Sequence, residues 1–251
     1  LAEIEQSVIY SFNIGERIPA ERLLRQLEEI SSPVQRPQLA ILRNKLEDIP
    51  NEGLRDLAFK QLRARRVQLA LDLFRKYLVL HPRDAWSNSG IGSIYILLGD
   101  LRTARDYIEA GYRLQNDEYT ASVFGYLMGF LERYDEAIGY YQEASGRNKD
   151  YIPARYNLAC MYLKKHEFQK ALGQLTALDK RFEQLRNVMR SKILNNLGYT
   201  LWWVGQQDLA KKKFQQAITV TPSFTDAIQN LEQIARGEAP QVVNPAQPMA
   251  A

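Results

Sequence analysis

The chain has 251 residues, 45% of them hydrophobic and 25% charged, and a formal net charge of +4. That composition belongs to a folded globular protein, and the charge is too small to mark a dedicated nucleic-acid binder. No apolar run reaches the roughly 18 residues of a membrane helix, and a single cysteine, Cys160, excludes an intrachain disulfide framework.

The N-terminus, LAEIEQSVIY, places acidic residues where a secretory signal carries positive charge, and no extended apolar core follows. Leu rather than Met at position 1 fits an engineered fragment or a mature product. A cytoplasmic location is the favoured expectation, with a mature or anchored periplasmic fragment as the alternative. Leu23, Leu24, Leu27 and Ile30 form a helical stripe after Pro19, and Leu39, Leu42 and Leu46 form another after Pro37. Residues 1–50 are expected to be an N-terminal helical cap or degenerate repeat; a separate functional module is the alternative.

A period takes over from residue 51. Ala70, Ala104, Ala137, Ala171 and Ala210 stand 34, 33, 34 and 39 residues apart, each opening a similar phrase such as ARDYIEAGYRLQN or AIGYYQEASGRNK. The first unit has Leu57 and Ala58, then Ala70, Phe74 and Pro82. The second has Ile91, Gly92 and Tyr95, a break at Leu98-Gly99-Asp100, then Ala104, Ile108 and Gly111. Gly99 suits a left-handed C-cap. Small residues at Gly92 and Ala104 let two antiparallel helices approach, and Tyr95 fills the wider gap beside them. The third unit repeats this with Phe124, Gly125, Met128, Ala137, Tyr141 and Ala144. The fourth has Leu158, Ala159, Tyr162, Phe168 and Ala171; the fifth has Leu197, Gly198, Leu201, Ala210, Phe214, Ala217 and Pro222.

This pattern resembles the tetratricopeptide repeat, a 34-residue helix–turn–helix unit. The resemblance covers residues 51–236 and is most specific in YDEAIGYYQEA and PSFTDAIQNLEQIA. It implies an all-α fold: about five stacked antiparallel helical hairpins forming a right-handed superhelix, or α-solenoid, closed by a C-terminal capping helix. The extra five residues between Ala171 and Ala210 are expected to lengthen the second helix of unit four through LDKRFEQLRNVMRS. Ser223–Ala235 reads as the capping helix, with Asp226, Gln229, Asn230, Glu232 and Gln233 on its polar outer face. Residues 237–251, rich in proline and small residues, read as a disordered tail.

A solenoid offers a concave face lined by first helices. Beside each packing stripe runs an offset stripe: Arg55, Phe59 and Leu62; Trp86, Ser89 and Ser93; Tyr119, Ser122, Tyr126 and Phe130; Tyr156, Cys160 and Leu163; Asn195, Tyr199, Trp202 and partly Trp203. Aromatic anchors are enriched among interface hot spots, so Phe59, Trp86, Tyr119, Tyr126, Phe130, Tyr156, Asn195, Tyr199 and Trp202 are the expected partner-binding residues. The expected function is a non-catalytic scaffold or adaptor that holds a partner helix or peptide in an aromatic groove, in the assembly or regulation of a multiprotein complex. The alternative is a helical-repeat regulatory module of a transcription regulator or another nucleic-acid-linked protein.

Other classes lack their parts. There is no phosphate loop, paired His/Glu metal motif or nucleophile elbow, so neither catalysis, a cofactor, a metal nor a small-molecule substrate is expected. His81 reads as a helix-end cap and His166 as a turn residue. Arg63, Arg65, Arg66 and Lys211–Lys213 read as solvated surface charge, which argues against nucleic acid. The stripes carry Ser89 with Ser93, Ser122 with Tyr126, and Tyr156 with Cys160, so the Lys/Asn/Arg carboxylate clamp of some tetratricopeptide co-chaperones is not expected. Self-association through the groove stays open.

Overall fold

The computed structural model describes residues 53–181 and 188–241. The expected cap at 1–50, part of the phrase LDKRFEQLRNVMRS, and the tail from residue 242 onward lie outside the described residues. Eleven helices follow one another without a strand among the described residues: α1 (Leu54–Arg63), α2 (Val67–Leu80), α3 (Ala85–Leu98), α4 (Leu101–Leu114), α5 (Glu118–Phe130), α6 (Tyr134–Arg147), α7 (Ile152–Lys164), α8 (Phe168–Arg181), α9 (Val188–Trp203), α10 (Gln207–Val220) and α11 (Thr225–Ala235). They fall into two compact bodies, one ending at Asn116 and the other beginning at Asp117. The first body holds α1–α4 and the second α5–α11.

Each expected hairpin is present as a packed pair: α1 with α2, α3 with α4, α5 with α6, α7 with α8, and α9 with α10. Within a body, each second helix packs in turn on the next first helix, and α11 covers α10. All five period alanines are fully buried. The closeness is measurable at glycines. A Cβ on Gly92 would lie 2.3 Å from Ile108 Cγ1, and one on Gly111 would lie 2.7 Å from the Ala85 carbonyl oxygen. Aromatic rings close the equivalent gaps elsewhere, since a Cβ on Gly125 would meet Tyr141 at 3.0 Å and one on Gly198 would meet Phe214 at 2.9 Å.

The turns repeat more faithfully than the side chains. Five residues before each period alanine stands a residue with positive φ: Arg65 (61°), Gly99 (82°), Glu132 (59°), His166 (57°) and Gly205 (85°). All five close a helix with the same two bonds. In hairpin two, Gly99 N–H donates to the Ile96 carbonyl and Asp100 N–H to the Tyr95 carbonyl; Arg65, Glu132, His166, Gly205 and their successors do likewise. This is the Schellman closure, in which a left-handed residue satisfies carbonyls left over at a helix end. Aspartates start several helices: Asp84 accepts from Ser87 N–H at 2.7 Å, Asp100 from Thr103 N–H at 3.1 Å, and Asp117 forms a capping box with Thr120. His81 sits at the end of α2 with its ring 4.3 Å from that of Tyr77.

The longer fourth interval differs from expectation. The described part of α8 has the usual 14 residues, whereas α9 has 16 and contains the VMRS assigned to the preceding helix. Helices α3, α5 and α7 begin 19 residues ahead of their alanine, while the described part of α9 already starts 22 ahead. Asp179 ties the first turn of the described α9 to its neighbours. Its carboxylate pairs with Arg190 Nη2 at 2.6 Å and with Lys213 Nζ at 2.6 Å, and Arg190 also donates to the Asp179 carbonyl at 2.9 Å. Arg190, in the first turn of α9, is thereby held between α8 and α10. Lys213, expected as solvated surface charge, is a member of this half-buried triad.

This packing makes stability sensitive to single atoms. Gly111→Ala should destabilise the chain by about 1–3 kcal/mol through overpacking, while Gly139→Ala, with open space around its Cβ, should stabilise it by roughly 0.5–1 kcal/mol. Opposite shifts of the urea midpoint are the readout. Asp179→Ala leaves two cations without their counter-ion at a site where the carboxylate side chain is 13% exposed, and should cost about 3 kcal/mol. A midpoint unchanged in Asp179→Ala would show that the triad contributes nothing.

Candidate functional site

The nine expected binding residues divide between the bodies and between surface and interior. Phe59 and Trp86 belong to the first body. Phe59 is 4% exposed, contrary to the expected groove position, because its ring fills the hairpin, 4.8 Å edge-on from Phe74 and 6.1 Å from Trp86. Trp86 is half-buried beneath the Arg55 guanidinium, 5.3 Å above its ring. Arg55 is held there by Asp84 at 3.1 Å, the same aspartate that caps α3.

In the second body, Tyr119, Tyr156, Asn195 and Tyr199 are buried, again contrary to an open groove. Tyr126 and Trp202 are half-buried and Phe130 is 51% exposed. The reason is that the stripe beside the packing stripe is itself a contact. Consecutive first helices meet along it, α5 with α7 and α7 with α9. Tyr199 lies against Trp203 at 6.2 Å and Phe168 at 6.4 Å, and Phe168 stacks on Trp203 at 5.8 Å.

Along that seam runs a connected row of polar side chains. The Asn196 amide donates to the Tyr156 hydroxyl at 2.9 Å, and the Asn195 amide donates to Asn196 Oδ1 at 3.5 Å. Asn230 on α11 donates to Asn195 Oδ1 at 3.1 Å. Asn230 also donates to the Gln241 carbonyl at 3.1 Å, and its Oδ1 accepts from Gln241 N–H at 2.8 Å. Two expectations change here. Asn230, placed on the polar outer face of the cap, is 2% exposed, and residues 237–241 of the supposed disordered tail follow a defined path with Pro240 buried. Gly237, at φ 80°, ends α11 with the same closure as the hairpin turns, and the chain then returns along the helix.

The signal that could have found this row is positional. Asn157, Asn196 and Asn230 lie 39 and 34 residues apart, the first interval being that from Ala171 to Ala210. One register of three consecutive first helices therefore carries asparagine. All three are buried. An amide is a poor helix former and costly to bury without partners; Asn196 and Asn230 meet that cost through the bonds above, and their recurrence at one register marks a role in hydrogen bonding.

Among the described residues no cluster of His, Cys, Asp and Glu is arranged to hold a metal ion, and no helix is long and apolar enough to cross a membrane. Residues 87–118 match the family model of the tetratricopeptide repeat. The fold is that of the tetratricopeptide repeat. Solved structures agree. The chain is 18% identical to TTC0263 of Thermus thermophilus, a thermophilic tetratricopeptide protein, covering 74% of this chain and 100% of that one with a TM-score of 0.62. It is 19% identical to YrrB, described as a tetratricopeptide protein with an unusual peptide-binding site, over 76% and 97% of the two chains with a TM-score of 0.51. A chain of the Cut9–Hcn1 hetero-tetramer of the APC/C gives a TM-score of 0.67 at 13% identity, over 86% of this chain and 41% of that one. At these identities the likeness concerns the fold. No curated protein matches the sequence.

Burial of hydroxyls gives the second body of this tetratricopeptide fold a pH signature. Desolvation raises the Tyr141 and Tyr156 hydroxyls well above their usual range, and Tyr151 is raised for the same reason, with Glu118 and Asp117 adding to it. A phenol with a raised folded pKa stabilises the fold below its unfolded value of about 10 and loses that contribution as pH climbs toward the folded value. Stability should therefore be insensitive to these groups at neutral pH and fall above about pH 10, by roughly 1.4 kcal/mol per pH unit for each tyrosine. Urea titrations from pH 8 to 12 test this, and Tyr141→Phe should reduce the slope by about one tyrosine's share.

Proposed function

We propose that the chain is a non-catalytic protein-binding scaffold that holds a helix or peptide of a partner and serves in the assembly or regulation of a multiprotein complex. The observation that carries this reading is the accessible aromatic surface on the first helices of the second body. Tyr126 and Phe130 on α5 and Trp202 on α9 retain exposure in the later turns of their helices, where the earlier positions Tyr119, Tyr156 and Asn195 are buried. Large rigid side chains with two rotatable angles bind at low entropic cost and are the usual hot spots of interfaces. Trp86, with Arg55 over its ring, offers the first body a comparable anchor. The peptide-binding site named for YrrB lends support to a peptide as the ligand.

Full-length chain carrying Tyr126→Ala, Phe130→Ala and Trp202→Ala should lose its partner at least tenfold in affinity, each anchor being worth about 2 kcal/mol when truncated. Lys211→Ala with Lys212→Ala, on the exposed face of α10, should leave binding unchanged. Quantitative affinity purification with helical content checked by circular dichroism is the measurement. Full retention of every partner by the folded triple variant would remove the basis of the reading.

A further inference from the structure

The Asn230 amide is engaged in a way that a helix cap does not require. Its oxygen accepts the Gln241 N–H while its nitrogen donates to the Gln241 carbonyl, at 2.8 and 3.1 Å. A side-chain amide is a peptide group in miniature. The two bonds to one residue reproduce the paired exchange between opposite residues of an antiparallel sheet. The second N–H of Asn230 goes to Asn195 Oδ1, which fixes the rotation of the amide, and Asn195 is steadied in turn through Asn196 and Tyr156. With both donors and the acceptor used, Asn230 is fully satisfied only while the main chain of Gln241 lies beside it.

The occupant has a definite chemistry. Pro240 is buried, whereas Ala239 and the side chain of Gln241 face solvent. The contact thus takes one proline ring and the two main-chain groups of the next residue, with no use of that residue's side chain. Proline favours an extended backbone in advance and lowers the entropy lost on docking. We propose that Asn230, positioned by Asn195, is a peptide-backbone clamp; that Pro240 and Gln241 of this same chain are its resident occupant; and that an extended proline-bearing segment of a partner protein binds there by displacing them. This site uses none of Tyr126, Phe130 or Trp202 and goes beyond the aromatic surface proposed above.

The probe is a labelled peptide with the sequence of residues 237–251, GEAPQVVNPAQPMAA, titrated into full-length chain. The resident segment competes as a tethered ligand at an effective concentration on the order of millimolar, so the wild-type chain should bind the peptide weakly. Gln241→Pro in the chain removes the N–H that donates to Asn230 and sets a ring carbon against Asn230 Oδ1, where the nitrogen lies at 2.8 Å, so the resident segment is expelled, the clamp is freed, and peptide binding should tighten about tenfold or more. Adding Asn230→Ala to that chain should abolish the gain. A peptide with Gln241→Pro should fail to bind the freed chain, a control that needs no further change to the protein's core. Amide exchange should show Gln241 protected in the wild type and unprotected in Asn230→Ala. The triple aromatic variant should bind the peptide as its parent does, which separates failure of this proposal from failure of the previous one. Equal peptide affinity for the wild-type and Gln241→Pro chains, or a Gln241 amide that exchanges freely in the wild type, would reduce the contact to a terminal cap and overturn the proposal.

Discussion

Helices α3 and α4 lie so close that Gly92 and Gly111 have no space for a methyl group, and much else in the molecule answers to that distance. Small residues must recur wherever two backbones meet, which is why the alanines keep their spacing. A bulky ring must then fill each flank that small residues leave open, which is the work of Phe74 against Gly90, Tyr141 against Gly125 and Phe214 against Gly198. Tight hairpins also bring successive first helices within reach of one another, so a second stripe on each becomes interior. The aromatic and polar residues available to a partner are those that this packing leaves over.

The fold was legible because its rule is local and periodic. Gly92, Ala104, Gly198 and Ala210 announce close approach without knowledge of any distant contact, and Gly99 announces its turn. The candidate site was only half legible. Whether Tyr126 or Tyr156 faces outward depends on the neighbouring hairpin, which the residues beside each of them in sequence do not reveal. Tyr156 meets Asn196 forty residues away and is lost to the surface, while Phe130, at the end of its helix, is not covered. The longer interval was visible, but its placement was not, since the ion triad joining Asp179, Arg190 and Lys213 brings together three helices that sequence spacing does not relate. Polar residues in a terminal helix ordinarily face solvent, which is what the sequence predicts for Asn230; its partner lies beyond a chain reversal at Gly237.

Buried asparagines give the second body a property that apolar packing lacks. Burying Leu or Ile is tolerant of small sliding, whereas an amide has fixed directions to satisfy. The run from Tyr156 through Asn196 and Asn195 to Asn230 therefore sets the relative register of α7, α9 and α11 as well as their proximity. Polar seams of this kind trade stability for definition. They are suited to a surface whose anchors must be held at set distances.

The hairpin turns have a consequence for the order in which the array breathes. Arg65, Glu132 and His166 carry side chains in a backbone conformation that Gly99 and Gly205 occupy freely, at a steric penalty of roughly 1–2 kcal/mol for each. In a stack where each hairpin leans only on its neighbours, such a penalty is not shared across the whole chain. Hairpins two and five thus form the taut links of the array, and the turns of one, three and four are the places where it first loosens. A repetitive molecule acquires in this way a graded series of openings, set by which of five equivalent positions happens to lack a side chain.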